Sequence, residues 1–138
     1  MANGHKGQQE VLVARVTMFT CPLKGYETFC AGSMQRHHII NKSKLKGNKK
    51  ARHYVDVEYP HIFLVEICEN HNVSRWADTR EAAGILIAHK AMLYGEDTVR
   101  GIWDGVPWKV PRPELRFDAL YDPMTVYQLA QARTPSDR

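Results

Sequence analysis

Four residues able to bind a soft metal stand in two pairs, Cys21-x8-Cys30 and Cys68-x2-His71, and together they use every cysteine of the chain. A tetrahedral zinc takes four such ligands, usually as two pairs from separate turns, and three cysteines with one histidine are a common structural set. If all four meet, distant stretches of a 138-residue chain are pinned at one point and the fold must be built around it. The second pair has ordinary spacing, whereas the first is wider than the usual knuckle. The competing reading is three cysteines that never meet, each buried as a small hydrophobe. Three thiols cannot all pair with one another, which argues against a disulfide framework.

The length suits one domain with a modest core. The first ten residues lack the apolar stretch of a secretory signal, and no apolar run reaches the roughly 18–20 residues of a membrane span. The expectation is therefore an intracellular, cytoplasmic protein that does not enter a membrane. Net charge is only +4, but its placement matters. Lys42, Lys44, Lys46, Lys49, Lys50 and Arg52 follow one another with no acidic residue between them, directly after the pair His37-His38. Such a run is most often a solvated loop. Beside two imidazoles it also suits attraction of a phosphate backbone.

Pattern along the chain predicts an α+β fold. Residues 1–10 read as a flexible arm and the β-branched stretch 11–19 as a strand. Residues 34–40 read as a strand, the basic stretch as a long loop to about residue 54, and 62–68 as a second strand. A helix follows, capped by Asp78 or Thr79, with Ala82, Ile85, Leu86, His89, Met92 and Leu93 at helical spacing and Gly95 as the stop. Residues 101–113, with three prolines and two tryptophans, suit an extended segment packed on the domain or on a partner. Trp103 and Trp108 read first as packing residues. Residues 133–138 read as a disordered tail.

If His71 serves the zinc, Asn72 beside it is free to face elsewhere. An Asn carbonyl oxygen and an imidazole nitrogen make a neutral, open site for a hydrated divalent cation. Met34-Gln35-Arg36-His37-His38-Ile39-Ile40 and Leu64-Val65-Glu66-Ile67-Cys68-Glu69-Asn70-His71-Asn72 resemble the two strands and the knuckle of the HNH, or ββα-metal, endonucleases. The resemblance covers roughly residues 21–90. It implies a two-stranded antiparallel hairpin with a long basic loop and a helix, stapled by a structural zinc on Cys21, Cys30, Cys68 and His71. It implies further that His37 and Asn72 hold a catalytic Mg²⁺ or Mn²⁺ and that His38 is the general base; chemistry alone would allow either order within the histidine pair. DNA would be the substrate, gripped by Lys42, Lys44, Lys46, Lys49, Lys50, Arg52 and Arg75.

On this reading residues 11–95 form the nuclease domain and 96–132 a C-terminal extension. The small size and the Asn-type knuckle are similar to phage and mobile-element proteins, with a homodimer or phage packaging proteins as possible partners. His37 stands where the family commonly has Asp, which lowers the negative charge of the site and shifts preference toward Mn²⁺, Ni²⁺ or Co²⁺. Phe63 stands where the family has a bracing Asn, leaving His53 or His61 as substitutes. The alternative function is a zinc-stapled module that binds nucleic acid without cutting it. A second alternative is an interaction protein in which the histidines fill a strand and the tryptophans meet a partner.

Overall fold

The computed structural model describes residues 21–124. The arm at 1–10, the strand at 11–19 and the tail at 133–138 lie outside the described residues, as does the end of the extension beyond residue 124. The fold is α+β: a two-stranded antiparallel sheet among short and medium helices. Strand β1 (Met34–His38) pairs with β2 (Leu64–Cys68), Met34 opposite Cys68 and His38 opposite Leu64. Alternation sets the faces, since Val65 and Ile67 are buried while Glu66 is exposed. Exposed Arg36 lies opposite Glu66, a favourable pairing of charges.

Both strands are shorter than the sequence predicts. β1 ends at His38 because Ile39 and Ile40 turn into the core, the Ile39 N–H donating to the Phe63 carbonyl at 2.9 Å. β2 begins only at Leu64 because Pro60 opens a helical turn, α2 (Pro60–Phe63), as a proline at the first helical position does.

The basic stretch is not a loop. It forms a 3₁₀ turn (Lys42–Leu45), helix α1 (Lys49–His53) and a π-helical turn (Tyr54–Glu58). Two asparagines start these turns: Asn41 accepts from the Ser43 N–H at 2.9 Å and Asn48 from the Ala51 N–H at 3.1 Å. Leu45, Ala51 and Val55 give the stretch an apolar side sunk in the core, so the cations point outward. Among the described residues neither His53 nor His61 donates to a backbone carbonyl, whereas Asn48 does. Its Nδ2 donates to the Pro107 carbonyl at 3.2 Å, whereas His53 pairs with Glu58 and His61 packs between the rings of Tyr59 and Tyr94.

After β2 come α3 (Glu69–Val73), a 3₁₀ turn (Arg75–Asp78) and the long α4 (Arg80–Tyr94). Thr79, not Asp78, is the cap of α4, its Oγ1 accepting from the Ala82 N–H at 3.2 Å; Gly95, at φ 93°, ends the helix. The expected apolar stripe holds through Ala82, Ile85 and Leu86 but fails at its end, where Met92 is 85% exposed. Gly84, Ile87, Ala88 and Ala91 are buried as well, because α4 is covered by more than one neighbour. Residues 101–113 are only partly extended: their first four complete α5 (Glu96–Asp104), and a 3₁₀ turn (Pro113–Leu115) and α6 (Phe117–Leu120) follow. One core joins Leu23, Ile40, Phe63, Ile67, Leu86, Val99, Trp103 and Phe117. Trp103 is a packing residue as expected: its ring lies 5.3 Å from that of Phe63 and its Nε1–H donates to the Leu115 carbonyl at 2.6 Å.

Gly84 lets α6 approach α4, since a Cβ there would sit 2.5 Å from the Leu120 carbonyl oxygen. Gly84→Ala should therefore cost about 1–3 kcal/mol in urea unfolding. Gly101→Ala, where a Cβ would meet nothing within 4 Å, should instead stabilise α5 by about 0.5–1 kcal/mol. Equal effects from both would refute this account of the packing.

Candidate functional site

Cys68 ends β2 and caps α3, its Sγ accepting from the His71 N–H at 3.3 Å. That cap turns His71 inward until it is fully buried. The His71 Nδ1 lies 3.2 Å from Cys68 Sγ, 3.6 Å from Cys30 Sγ and 3.8 Å from Cys21 Sγ. Tetrahedral bonds to zinc place sulfur and nitrogen ligands about 3.5 Å apart, so the four atoms are close enough to bind a metal such as zinc. The other ring nitrogen, Nε2, donates to the Tyr26 carbonyl at 2.8 Å, which leaves the Nδ1 lone pair aimed at the sulfurs.

The loop carrying Cys30 is tied down independently. Asn70 donates from Nδ2 to the Phe29 carbonyl at 2.7 Å and from its backbone to the Ala31 carbonyl at 3.0 Å. Crowding three thiols together has an electrostatic cost. Burial, then the neighbouring Cys21 and Cys68, push the Cys30 thiol up to about 12, and burial likewise raises Cys21. Burial would also raise Cys68, but N–H groups of His71 and Ala31 and the His71 ring outweigh it and bring the thiol down to about 7. A cation among the sulfurs removes this conflict, with protons released as it binds.

His71 and Asn72 are adjacent on α3 and so project about 100° apart. One meets the sulfurs and the other reaches β1. Asn72 Oδ1 lies 3.2 Å from Nδ1 of His37, and its Nδ2 donates to Gln35 Oε1 at 2.8 Å. Gln35 thereby fixes which end of the amide faces the imidazole. Burial lowers the pKa of His37 despite opposing effects of Asn72, Asp78 and the Ala77 backbone, which favours the neutral ring; an amide oxygen only accepts, so it is Nδ1 that donates to Asn72.

His38, next along the strand, turns the other way, and its Nε2 lies 3.2 Å from Asp56 Oδ1. A carboxylate can only accept, so Nε2 carries the proton and Nδ1 the lone pair. The acceptor is a side chain carried by the π-helical turn. Arg36, His37, His38, Asn41, Lys42, Asn72 and Asp78 together line an open cavity of about 200 Å³.

The cations expected on DNA are dispersed. Lys42 lines this cavity, Lys44 and Lys46 line a second one beside Trp108, and Lys49 and Lys50 a third with His53, Tyr54 and Glu58. Arg52 and Arg75 are exposed on α1 and on the 3₁₀ turn after α3, and neither lines the cavity at His38. Asp56 and Gln35 are the site residues that sequence reasoning misses. Gln35 had a signal, since it stands two residues before His37 on the same face of a strand. Asp56 had only its place as the first carboxylate after the cationic run.

No protein-family model, curated protein or solved structure matches this chain. No helix among the described residues is long and apolar enough to cross a membrane.

Cys68→Ser should strip zinc from the purified protein, read by elemental analysis, and lower its melting temperature. Unchanged metal content with native-like melting would refute the centre.

Proposed function

We propose that the protein is a divalent-metal-dependent DNA endonuclease of the HNH type, its ββα-metal unit stapled by a structural zinc on Cys21, Cys30, Cys68 and His71. The observation carrying this reading is the meeting of His37 Nδ1 and Asn72 Oδ1 at 3.2 Å, in a cavity that His38 also lines. Two ligands at right angles on an octahedral ion with bonds of about 2.1 Å stand about 3.0 Å apart, so the pair would hold one Mg²⁺ or Mn²⁺ once the proton between them moves to the other ring nitrogen or to solvent. Such an ion, when bound, supplies Lewis-acid stabilisation of charge on the phosphate and the leaving oxygen.

The remaining work falls to side chains. His38 Nδ1 takes a proton from the water that attacks phosphorus, the P–O3′ bond breaks and the departing O3′ takes a proton from solvent water, leaving a 5′-phosphate and a 3′-hydroxyl. Asp56 holds the His38 ring in the tautomer that leaves Nδ1 basic, acting on the base rather than on the DNA. Arg36 and Lys42, at the cavity rim, attract the phosphodiester. The rival reading, a binding module that does not cut, accounts for the cations and the metal cluster but gives the His38–Asp56 contact no task.

Incubation with supercoiled plasmid and Mn²⁺ or Mg²⁺, with an EDTA control, tests the proposal, and nicked or linear product is expected. His38→Ala should slow cleavage by about 10²- to 10⁴-fold while zinc content and DNA affinity stay near wild type. Cleavage by the variant at the wild-type rate, or none by the wild type with any of these ions, would sink it.

Asp56→Asn should lower kcat by about 10- to 100-fold with little change in KM, and Asp56→Glu should recover part of the loss. A change in KM alone would mean that Asp56 acts only on DNA binding, not on the base.

A further inference from the structure

The C-terminal segment that follows α5 is strapped across the basic stretch. Asn48 Nδ2 donates to the Pro107 carbonyl at 3.2 Å, and Lys109 Nζ donates to the Gly47 carbonyl at 3.0 Å. Between strap and stretch lies a groove of about 350 Å³, separate from the cavity at His37 and His38. Its charged lining is Lys44, Lys46, Lys109 and Arg112 against the single carboxylate of Glu114, which sits 3.6 Å from Arg112. Its aromatic lining is Trp108. This ring is only partly buried: one part packs against the core, as expected of it, and the Arg112 guanidinium lies over it at 5.2 Å from the centroid.

We propose that this groove binds an unpaired nucleotide of a single-stranded nucleic acid, the base stacking on Trp108 and the flanking phosphates meeting Lys44, Lys46 and Lys109. Three properties favour that ligand. An aromatic ring beside a row of cations is the pairing that holds single strands, because every base has a π face and every nucleotide a phosphate. A base can stack on a side chain only when it is out of the duplex, and a cavity of this volume admits one nucleotide rather than a double helix. The Arg112 guanidinium lies over one face of Trp108, so an entering base either displaces it from the ring or stacks on its plane, and in both cases its charge stays beside the phosphates. An acidic peptide would satisfy the lysines but brings no planar base to stack at Trp108.

The choice of nucleic acid rests on the proposed nuclease function, whereas the site does not share its residues. Binding is therefore measured apart from cleavage, on the full-length, zinc-loaded protein with no Mg²⁺ or Mn²⁺ added. The probe is fluorescein-labelled oligothymidylate, followed by anisotropy, with a duplex of equal length alongside. Trp108→Ala should weaken single-strand binding by about 5- to 100-fold, Trp108→Phe much less, and duplex binding should change little with either. Replacing Lys44 and Lys46 by alanine should flatten the slope of log affinity against log salt by about 1.4. His38→Ala should leave single-strand affinity unchanged, so a failure of the nuclease reading and a failure of the groove are separable.

Ultraviolet crosslinking of the wild-type protein to oligothymidylate, mapped by mass spectrometry, should mark the peptide containing Trp108. That measurement needs no variant to fold. Crosslinks confined to other segments, or a folded Trp108→Ala protein that binds the single strand at wild-type affinity, would overturn the proposal. So would displacement of the oligonucleotide by polyglutamate joined to an unaffected Trp108→Ala variant, which would assign the groove to an acidic protein.

Discussion

His71 is the residue on which the described structure turns. Its Nε2 is spent on the Tyr26 carbonyl, so its Nδ1 must face Cys21, Cys30 and Cys68, and the ring has no exposed edge left. That geometry fastens the segment of residues 21–30 to the end of β2 and to the start of α3. Helix α3 has only five residues, far too few to persist alone in water, and owes its existence to the Cys68 cap and the burial of His71. Asn72 reaches His37 only because α3 exists. The contact at the far side of β1 therefore depends on a cluster built from different residues.

A second set of ties does for the cationic stretch what the cluster does for the hairpin. Six like charges in close sequence repel one another, yet the stretch winds into 3₁₀, α and π turns. Leu45, Ala51 and Val55 supply the apolar side, and Asn48 reaches the Pro107 carbonyl while Tyr54 reaches α5, donating to the Ile102 carbonyl at 2.7 Å. Burial of those three residues and the cross-ties hold together what Coulomb repulsion alone would leave open. The π turn at its end also carries Asp56 to His38, so a segment stabilised for packing delivers a polar group to the cavity.

What could be read in the sequence was whatever depended on spacing within one element or on ligand chemistry. The two strands, the long α4 with its Gly95 stop and the convergence of three cysteines with His71 were legible in that way, while the pairing of the strands came from the family resemblance. The helical turns of residues 42–58 were not, because charge density hid an apolar side of only three residues at wide spacing. Asp56 and Asn48 were hidden for a different reason. Their partners, His38 and Pro107, lie 18 and 59 residues away, and no local pattern encodes such a pairing. Gly84 was invisible likewise, since its purpose is the Leu120 carbonyl on another helix.

The two adjacent pairs, His37-His38 and His71-Asn72, show how backbone periodicity divides labour between neighbours. On a strand, successive side chains leave by opposite faces, which sends His37 to Asn72 and His38 to Asp56. On a helix they diverge by about 100°, which sends His71 to the sulfurs and Asn72 to the strand. A one-residue shift of β1 would exchange the partners of its pair, and one of α3 would turn both residues away from theirs. Register is protected against that shift from several sides at once. Met34 is held opposite Cys68, the Cys68 cap sets the start of α3, and Gln35, two residues before His37 on the same strand face, binds the Asn72 amide. The last contact closes a circuit, because the residue that orients Asn72 belongs to the same strand as the histidine that Asn72 meets.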